Sequence, residues 1–177
     1  MSHKPLFESL VLTVICDDRP GIVARLSHLL EKHGGNWTDS SMLSLAGKFA
    51  GILLVQVPAG QSETLVQELQ QLQDEGMQVT VHRSSAAEPA TGSRQFVLEL
   101  LGQDRPGIVR DITAILSRHG VNVLELDSSC ESASMSGEML FKARARLLIP
   151  HDLNRDILQA DLEHLANELM VDIKLQE

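Results

Sequence analysis

Apolar and polar positions change period several times along the chain, and each change marks an element. Leu10-Val11-Leu12-Thr13-Val14-Ile15-Cys16 is almost continuously apolar, which predicts a buried strand rather than a half-exposed edge. Asp17-Asp18-Arg19-Pro20-Gly21 breaks the run. From Ile22 the apolar residues fall at i, i+1, i+4, i+7 and i+8 (Ile22, Val23, Leu26, Leu29, Leu30), one face of an α-helix. Gly34-Gly35 ends that helix, because glycine adopts the left-handed cap, and His33 sits in its last turn. Asn36–Leu45 reads as a strand, Ala46-Gly47-Lys48 as a tight turn and Phe49–Val57 as the hairpin partner. After Pro58-Ala59-Gly60, residues Ser62–Glu75 predict a second helix with Leu65, Val66, Leu69 and Leu72 inward and Ser62 as N-cap. Gly76 stops it, and Met77–His82 reads as a last short strand.

The order strand, helix, strand, strand, helix, strand predicts an α+β fold. It is the ferredoxin-like βαββαβ arrangement, with an antiparallel four-stranded sheet and both helices on one face. The chain then repeats itself. Asp18-Arg19-Pro20-Gly21-Ile22-Val23 returns unchanged as Asp104-Arg105-Pro106-Gly107-Ile108-Val109, 86 residues later. The same offset carries His33-Gly34 onto His119-Gly120 and Asn36 onto Asn122. Two copies of one unit are therefore expected, over residues 1–83 and 94–177. An aperiodic Ser-, Ala- and Pro-containing linker is expected over 84–93.

In the second copy Gln95–Leu101 predicts the first strand, Gly107–His119 the first helix and Val121–Cys130 the second strand. Glu131–Glu138 predicts a longer hairpin tip, Met139–Ile149 a longer strand, Asp152–Leu169 the second helix with Asp152 as N-cap, and Met170–Leu175 the last strand. The offset from Pro58 to Pro150 is 92 rather than 86, so about six extra residues lie between the helices of this copy.

Charge narrows the function. The net charge is −9, with six basic against nine acidic side chains over residues 1–85 and nine against fifteen over 86–177. Duplex DNA is held largely through clustered Lys and Arg, so direct nucleic-acid binding is not expected. No apolar run approaches 18 residues, and no charged-then-apolar leader opens the chain, so neither a membrane span nor secretion is expected. Cys16 and Cys130 do not correspond under the repeat and form no Cys-x-x-Cys pair, which fits reduced thiols in a cytoplasmic protein.

The repeated turn is the candidate for chemistry. A strand ends and a helix begins near Pro20, whose missing N–H and fixed φ suit the first helical turn. Gly21 carries no side chain, so the N–H groups behind it are open at the positive end of a helix dipole, where a carboxylate binds well. Asp18 is a candidate helix cap and also sets a negative charge beside the site, which favours a zwitterion over a strong anion. The alternative is that Asp-Arg-Pro-Gly is only a good folding turn.

Asp-Arg-Pro-Gly-Ile-Val after an apolar strand, a helix ending in glycine and Asn36 or Asn122 opening the next strand resemble the signature of the ACT domain family, over nearly the whole chain. The resemblance implies paired regulatory modules that bind free amino acids at a domain interface beside the turn. Carried onto this sequence, the implied ligand-contacting positions are Asp18, Gly21, Ile22 and Asn36, and Asp104, Gly107, Ile108 and Asn122. A chain of two such domains is most similar to the glycine cleavage system transcriptional repressor family. That implies glycine or a similar amino acid as effector, a LysR-type transcriptional activator as protein partner, and a homodimer. The alternative is a detached regulatory subunit of an amino-acid metabolic enzyme. A deformylase fragment is disfavoured because no hydrolase region follows.

No catalytic constellation, cofactor motif or metal-ligand spacing emerges. His33 and His119 read as caps in a last helical turn, and His151-Asp152 as a helix start. With 3% aromatic residues and no tyrosine, a base-stacking RNA-binding sheet is not expected. Phe7, Phe49, Phe96 and Phe141 are expected in the core, and Trp37 at a domain interface.

Overall fold

The computed structural model describes residues 6–84, 92–133 and 137–177. The chain divides into two compact units, Met1–Glu88 and Pro89–Glu177. Most of the linker expected over 84–93 (residues 85–91) lies outside the described residues; Ser93 already belongs to a strand.

The first unit runs β1 (Phe7–Asp17), α1 (Ile22–Lys32), β2 (Asn36–Leu45), β3 (Lys48–Pro58), α2 (Ser62–Gln71) and β4 (Gln78–Arg83). Its sheet has the order β2-β3-β1-β4 with antiparallel neighbours. The second runs β5 (Ser93–Gln103), α3 (Ile108–Arg118), β6 (Asn122–Ser132), β7 (Met139–Pro150), α4 (Arg155–Leu169) and β8 (Val171–Gln176), with the order β6-β7-β5-β8. Both are the expected α+β arrangement.

The two-residue period of the strands places the core. Leu10, Leu12, Val14 and Cys16 of β1 and Leu53, Val55 and Val57 of β3 are buried with Ile22, Leu26, Leu29 and Leu30 of α1 and Leu65 and Leu69 of α2. Both helices therefore cover one face. Phe96, Leu98, Leu100, Leu147 and Ile149 do the same beneath Ile112, Ile115, Leu158 and Leu162 in the second unit. β1 is interior to its sheet, as its apolar run predicts, but its other face is not covered: Ile15 is 48% exposed, and Ile52 on β3 is 50% exposed.

Several local expectations are corrected. Ser62 is not an N-cap; it is buried inside α2, its Oγ donating to the Ala59 carbonyl, and Gln61 occupies the cap position without a side-chain bond. The helix predicted to Glu75 tightens into a 3₁₀ turn over Leu72–Glu75, closed by Gly76 at φ 80°. Asp152 is not the cap of α4. Asn154 is, its side-chain oxygen accepting the Asp156 N–H at 2.9 Å. Phe7 is 59% exposed rather than in the core, because it lies at the outer end of β1, whereas Phe96 and Phe141 are buried. Trp37 packs against the core of its own unit, since the pleat turns it to the helix side opposite Val55.

The divergent hairpins also resolve. β2 and β3 are joined by Ala46-Gly47, both at positive φ (50° and 76°) as a two-residue I′-type turn demands. β6 and β7 are each one residue longer than their counterparts, and residues 133–138 join them, of which 134–136 lie outside the described residues. The insertion thus falls mainly in the connection.

Candidate functional site

β1 delivers Asp17 to the end of the sheet where the β2–β3 hairpin closes. There the Asp18 N–H donates to the Gly47 carbonyl (3.0 Å), and Asp18 Oδ2 accepts from Ser44 Oγ (2.5 Å). Asp18 therefore braces the turn against the hairpin and does not cap the helix. Gly21 is the N-cap, at φ 94° and ψ −2°, with no side-chain cap bond. Pro20 precedes it and so stands just outside the helix. The first helical bond runs from the Arg25 N–H to the Gly21 carbonyl (2.9 Å). The N–H groups ahead of it have no helical acceptor, and they lie at the positive end of the dipole. Among the described residues, no heavy atom beyond Gly21 and its two chain neighbours comes within 4 Å of where a Cβ on Gly21 would stand, so this turn is open.

The arginine of the motif fastens the turn to the end of the second helix. Arg19 Nη2 donates to the Glu75 carbonyl (2.7 Å), and Arg25 pairs with the Glu75 carboxylate through Nη2–Oε1 (2.6 Å) and Nε–Oε2 (3.1 Å). The Arg25 hydrogen bonds hold the Glu75 carboxyl below its usual range.

The identical motif in the second unit has different neighbours. The Asp104 N–H donates to the Met139 carbonyl (2.8 Å). Its carboxylate lies beside Cys130, the residue that the 86-residue offset places where Ser44 stands. Desolvation first, then the Asp104 charge and a hydrogen bond to it, push the Cys130 thiol up. Gly107 has φ 93°, but a Cβ there would lie 3.3 Å from Arg110 Nη2 and 3.7 Å from Asp111 Oδ2. Arg110, where the first unit has Ala24, pairs with Asp111 (Nη2–Oδ1 2.8 Å). The second turn is shaded; the first is not.

The other expected positions are distributed unevenly. The Ile22 and Ile108 side chains are buried in their cores, 4% and 2% exposed, and pin the helices, so only their backbone N–H groups are placed for a ligand. Asn36 opens β2 opposite Gln56, which lies opposite Ser9 near the start of β1, whereas Asp17 at the far end of β1 lies opposite Lys48. At ~3.3 Å per residue, Asn36 stands about 25 Å along the sheet from the turn. Asn122, opposite Leu148 and hence Gln95, is displaced in the same way. Each unit thus brings Asp and Gly together and leaves its Asn at the other end.

His33 and His119 do more than cap. Their backbone N–H groups bond to the last helical turns, but their rings reach across to the second helix: His33 Nε2 lies 3.3 Å from Glu68 Oε2, and His119 Nε2 lies 2.8 Å from Asp161 Oδ2. Among the described residues no three His, Cys, Asp or Glu side chains are grouped to hold a metal ion, and no helix is long and apolar enough to cross a membrane. The residues that sequence reasoning missed are Ser44 and Cys130; the repeat offset is the signal that pairs them.

The class follows from fold and turn together: tandem βαββαβ units, each with a glycine-capped helix after its first strand. The ACT domain matches residues 8–82 and again residues 96–143, and the chain belongs to the ACT domain family. The crystal structure of an unknown protein from Galdieria sulphuraria is similar over 97% of this chain and 98% of that one, at 32% identity and a TM-score of 0.87. A protein provisionally assigned as a glycine cleavage system transcriptional repressor shares the fold over 97% and 98% of the two chains, at 20% identity and a TM-score of 0.71. UPF0237 protein MK1213 of Methanopyrus kandleri is 47% identical over 47 residues, 27% of this chain. The matched segment spans about half (52%) of that relative's length.

Proposed function

We propose that this chain is an amino-acid-responsive, non-catalytic regulator that represses glycine cleavage genes through contact with a LysR-type activator, without touching DNA. The observation that carries the ligand reading is the open helix N-terminus at Gly21. Its uncapped N–H groups suit a carboxylate, and the neighbouring Asp18 suits an ammonium, which together describe glycine or a similar small amino acid. Asn36 joins such a site only from a different ACT domain, and in this reading a homodimer supplies it. The net charge of −9 favours a protein partner over nucleic acid, and a cytoplasmic location accords with gene regulation. The tandem layout shared with the protein provisionally assigned as a glycine cleavage repressor supports the choice of target.

Binding works as regulation only if the ligand prefers one arrangement of paired domains to another. Thermal shift against all twenty amino acids at millimolar concentration is the direct test, since a ligand at ~100 times its dissociation constant adds about 2.7 kcal/mol. Stabilisation by a small amino acid, lost in Gly21→Val more than in Gly107→Val, is expected. No shift with any of the twenty removes the sensing role. Co-purification of a LysR-type protein supports the repressor, whereas a biosynthetic enzyme in its place moves the assignment to a detached regulatory subunit.

A further inference from the structure

The outer face of the second sheet, turned away from α3 and α4, carries a charge pattern that the first sheet lacks. Cross-strand register sets Asp127 opposite Arg144, Arg144 opposite Glu99 and Glu99 opposite Lys174. One row across β6-β7-β5-β8 therefore reads acid, base, acid, base. The flanking rows read Glu125, Arg146, Val97, Gln176 and Ser129, Lys142, Leu101, Asp172. The matching central row of the first sheet, Ser41, Ile52, Thr13 and Thr80, holds no charge at all.

The charges of the central row are only loosely engaged within the unit. Arg144 Nε stands 3.9 Å from Glu99 Oε1, and the Arg144 side chain is 69% exposed. By contrast Arg146 Nε is 2.9 Å from Glu125 Oε2. Two concavities, of about 580 and 240 Å³, open on this face, and Asp127 and Arg144 border both.

We propose that this face docks onto the same face of a second copy, about a two-fold axis lying in the interface, parallel to the strands and passing between β7 and β5. Such an axis reverses each row. Asp127 then meets the second copy's Lys174, Arg144 meets its Glu99, and the two remaining positions repeat those pairs by symmetry. In the flanking rows Glu125 meets Gln176 and Ser129 meets Asp172, while the stems of Arg146 and Lys142 lie over Val97 and Leu101. No row brings like charges together. An in-plane axis across the strands instead sets every residue of the central row against itself, which repulsion forbids. An isologous contact is what closed two-fold symmetry requires.

Charge also rejects the other occupants. An uncharged row such as the central row of the first sheet leaves four charges desolvated without partners. A polyanion meets Asp127, Glu99 and Asp172. With strands ~4.8 Å apart and rows ~7 Å apart the patch is roughly 20 Å across, at the small end for specific interfaces. The association is therefore weak and salt-sensitive.

Sedimentation velocity on the full chain tests this. Glu99→Arg and Arg144→Glu each set like charges face to face, and each is expected to weaken the self-association at least about tenfold. The double variant Glu99→Arg/Arg144→Glu reads acid, acid, base, base, which is again self-complementary on reversal, and restores association to within about threefold of the parent. An equimolar mixture of the two single variants also associates, because each supplies the charges that the other lacks. About 0.5 M NaCl weakens the parent complex. The proposal is overturned if the single variants associate as the parent does, if the double variant stays as weak as the singles, or if the parent shows no self-association at low salt.

Discussion

Gly21 and Asn36 belong to one copy of the repeat and stand at opposite ends of its sheet, because α1 runs back along the full length of β1 before β2 begins. A binding site that needs both draws them from different domains. The turn itself is complete within one copy, and its cost and chemistry are testable there.

The left-handed cap glycines are expected to resist substitution for conformational reasons alone. Gly21→Ala meets open space and Gly107→Ala meets Arg110, yet both residues have φ above 90°. Each change is expected to destabilise by about 1–2 kcal/mol, read by urea unfolding. A neutral Gly21→Ala refutes the assigned conformation, since no clash there offers another explanation.

Gly102 is required by close approach rather than by φ. A Cβ on it would overlap Val171 Cγ1 and lie 3.1 Å from the Val171 Cα. The first unit fills the corresponding space with Cys16 and Met77, both buried. Gly102→Ala is expected to cost about 2–3 kcal/mol by overpacking. Adding Val171→Ala recovers part of that loss; a double variant as unstable as the sum of the two single changes contradicts the contact.

Acid is expected to loosen the brace between α1 and the end of α2. Hydrogen bonds from Lys32 and then the His33 ring 3.3 Å away hold Glu68 below its usual range, and hydrogen bonds from Arg25 hold Glu75 there. A depressed carboxyl stabilises the fold above its unfolded pKa and loses that contribution as pH falls through the folded value. Thermal stability therefore declines below about pH 4. Melting curves of Glu68→Gln and Glu75→Gln should show a flatter decline between about pH 3 and 5, and parent-like slopes in both variants exclude the brace.

Cys130 is exposed, yet desolvation and then the charge of Asp104 push its thiol up, so it is expected to react slowly with iodoacetamide near pH 8. Asp104→Asn removes the adjacent negative charge and should speed alkylation several-fold, followed by mass spectrometry of the Cys130 peptide. Buried Cys16 should remain unmodified in both proteins. Equal rates at Cys130 would falsify the Asp104 contact.

The sequence by itself determined the duplication, the order of elements and the face each helix buries. These depend on local periodicity and on glycine at turns, as the Asn36–Leu45 strand and the helix start at Ile22 illustrate. It misread Ser62 and Asp152 as caps because the entry path of the chain decides which polar residue meets the free N–H groups: Asn154 does at α4, and no side chain does at α2. Tertiary structure alone decided that Asp18 braces a hairpin instead of capping a helix, that Arg110 shades one glycine while the other is open, and that Asn36 is remote from the turn of its own copy. It alone aligned Asp127, Arg144, Glu99 and Lys174, which come from four strands and share no sequence neighbourhood. Strand register and the direction of packed elements are long-range properties, set when distant segments bury apolar surface together, and no local pattern of residues encodes them directly.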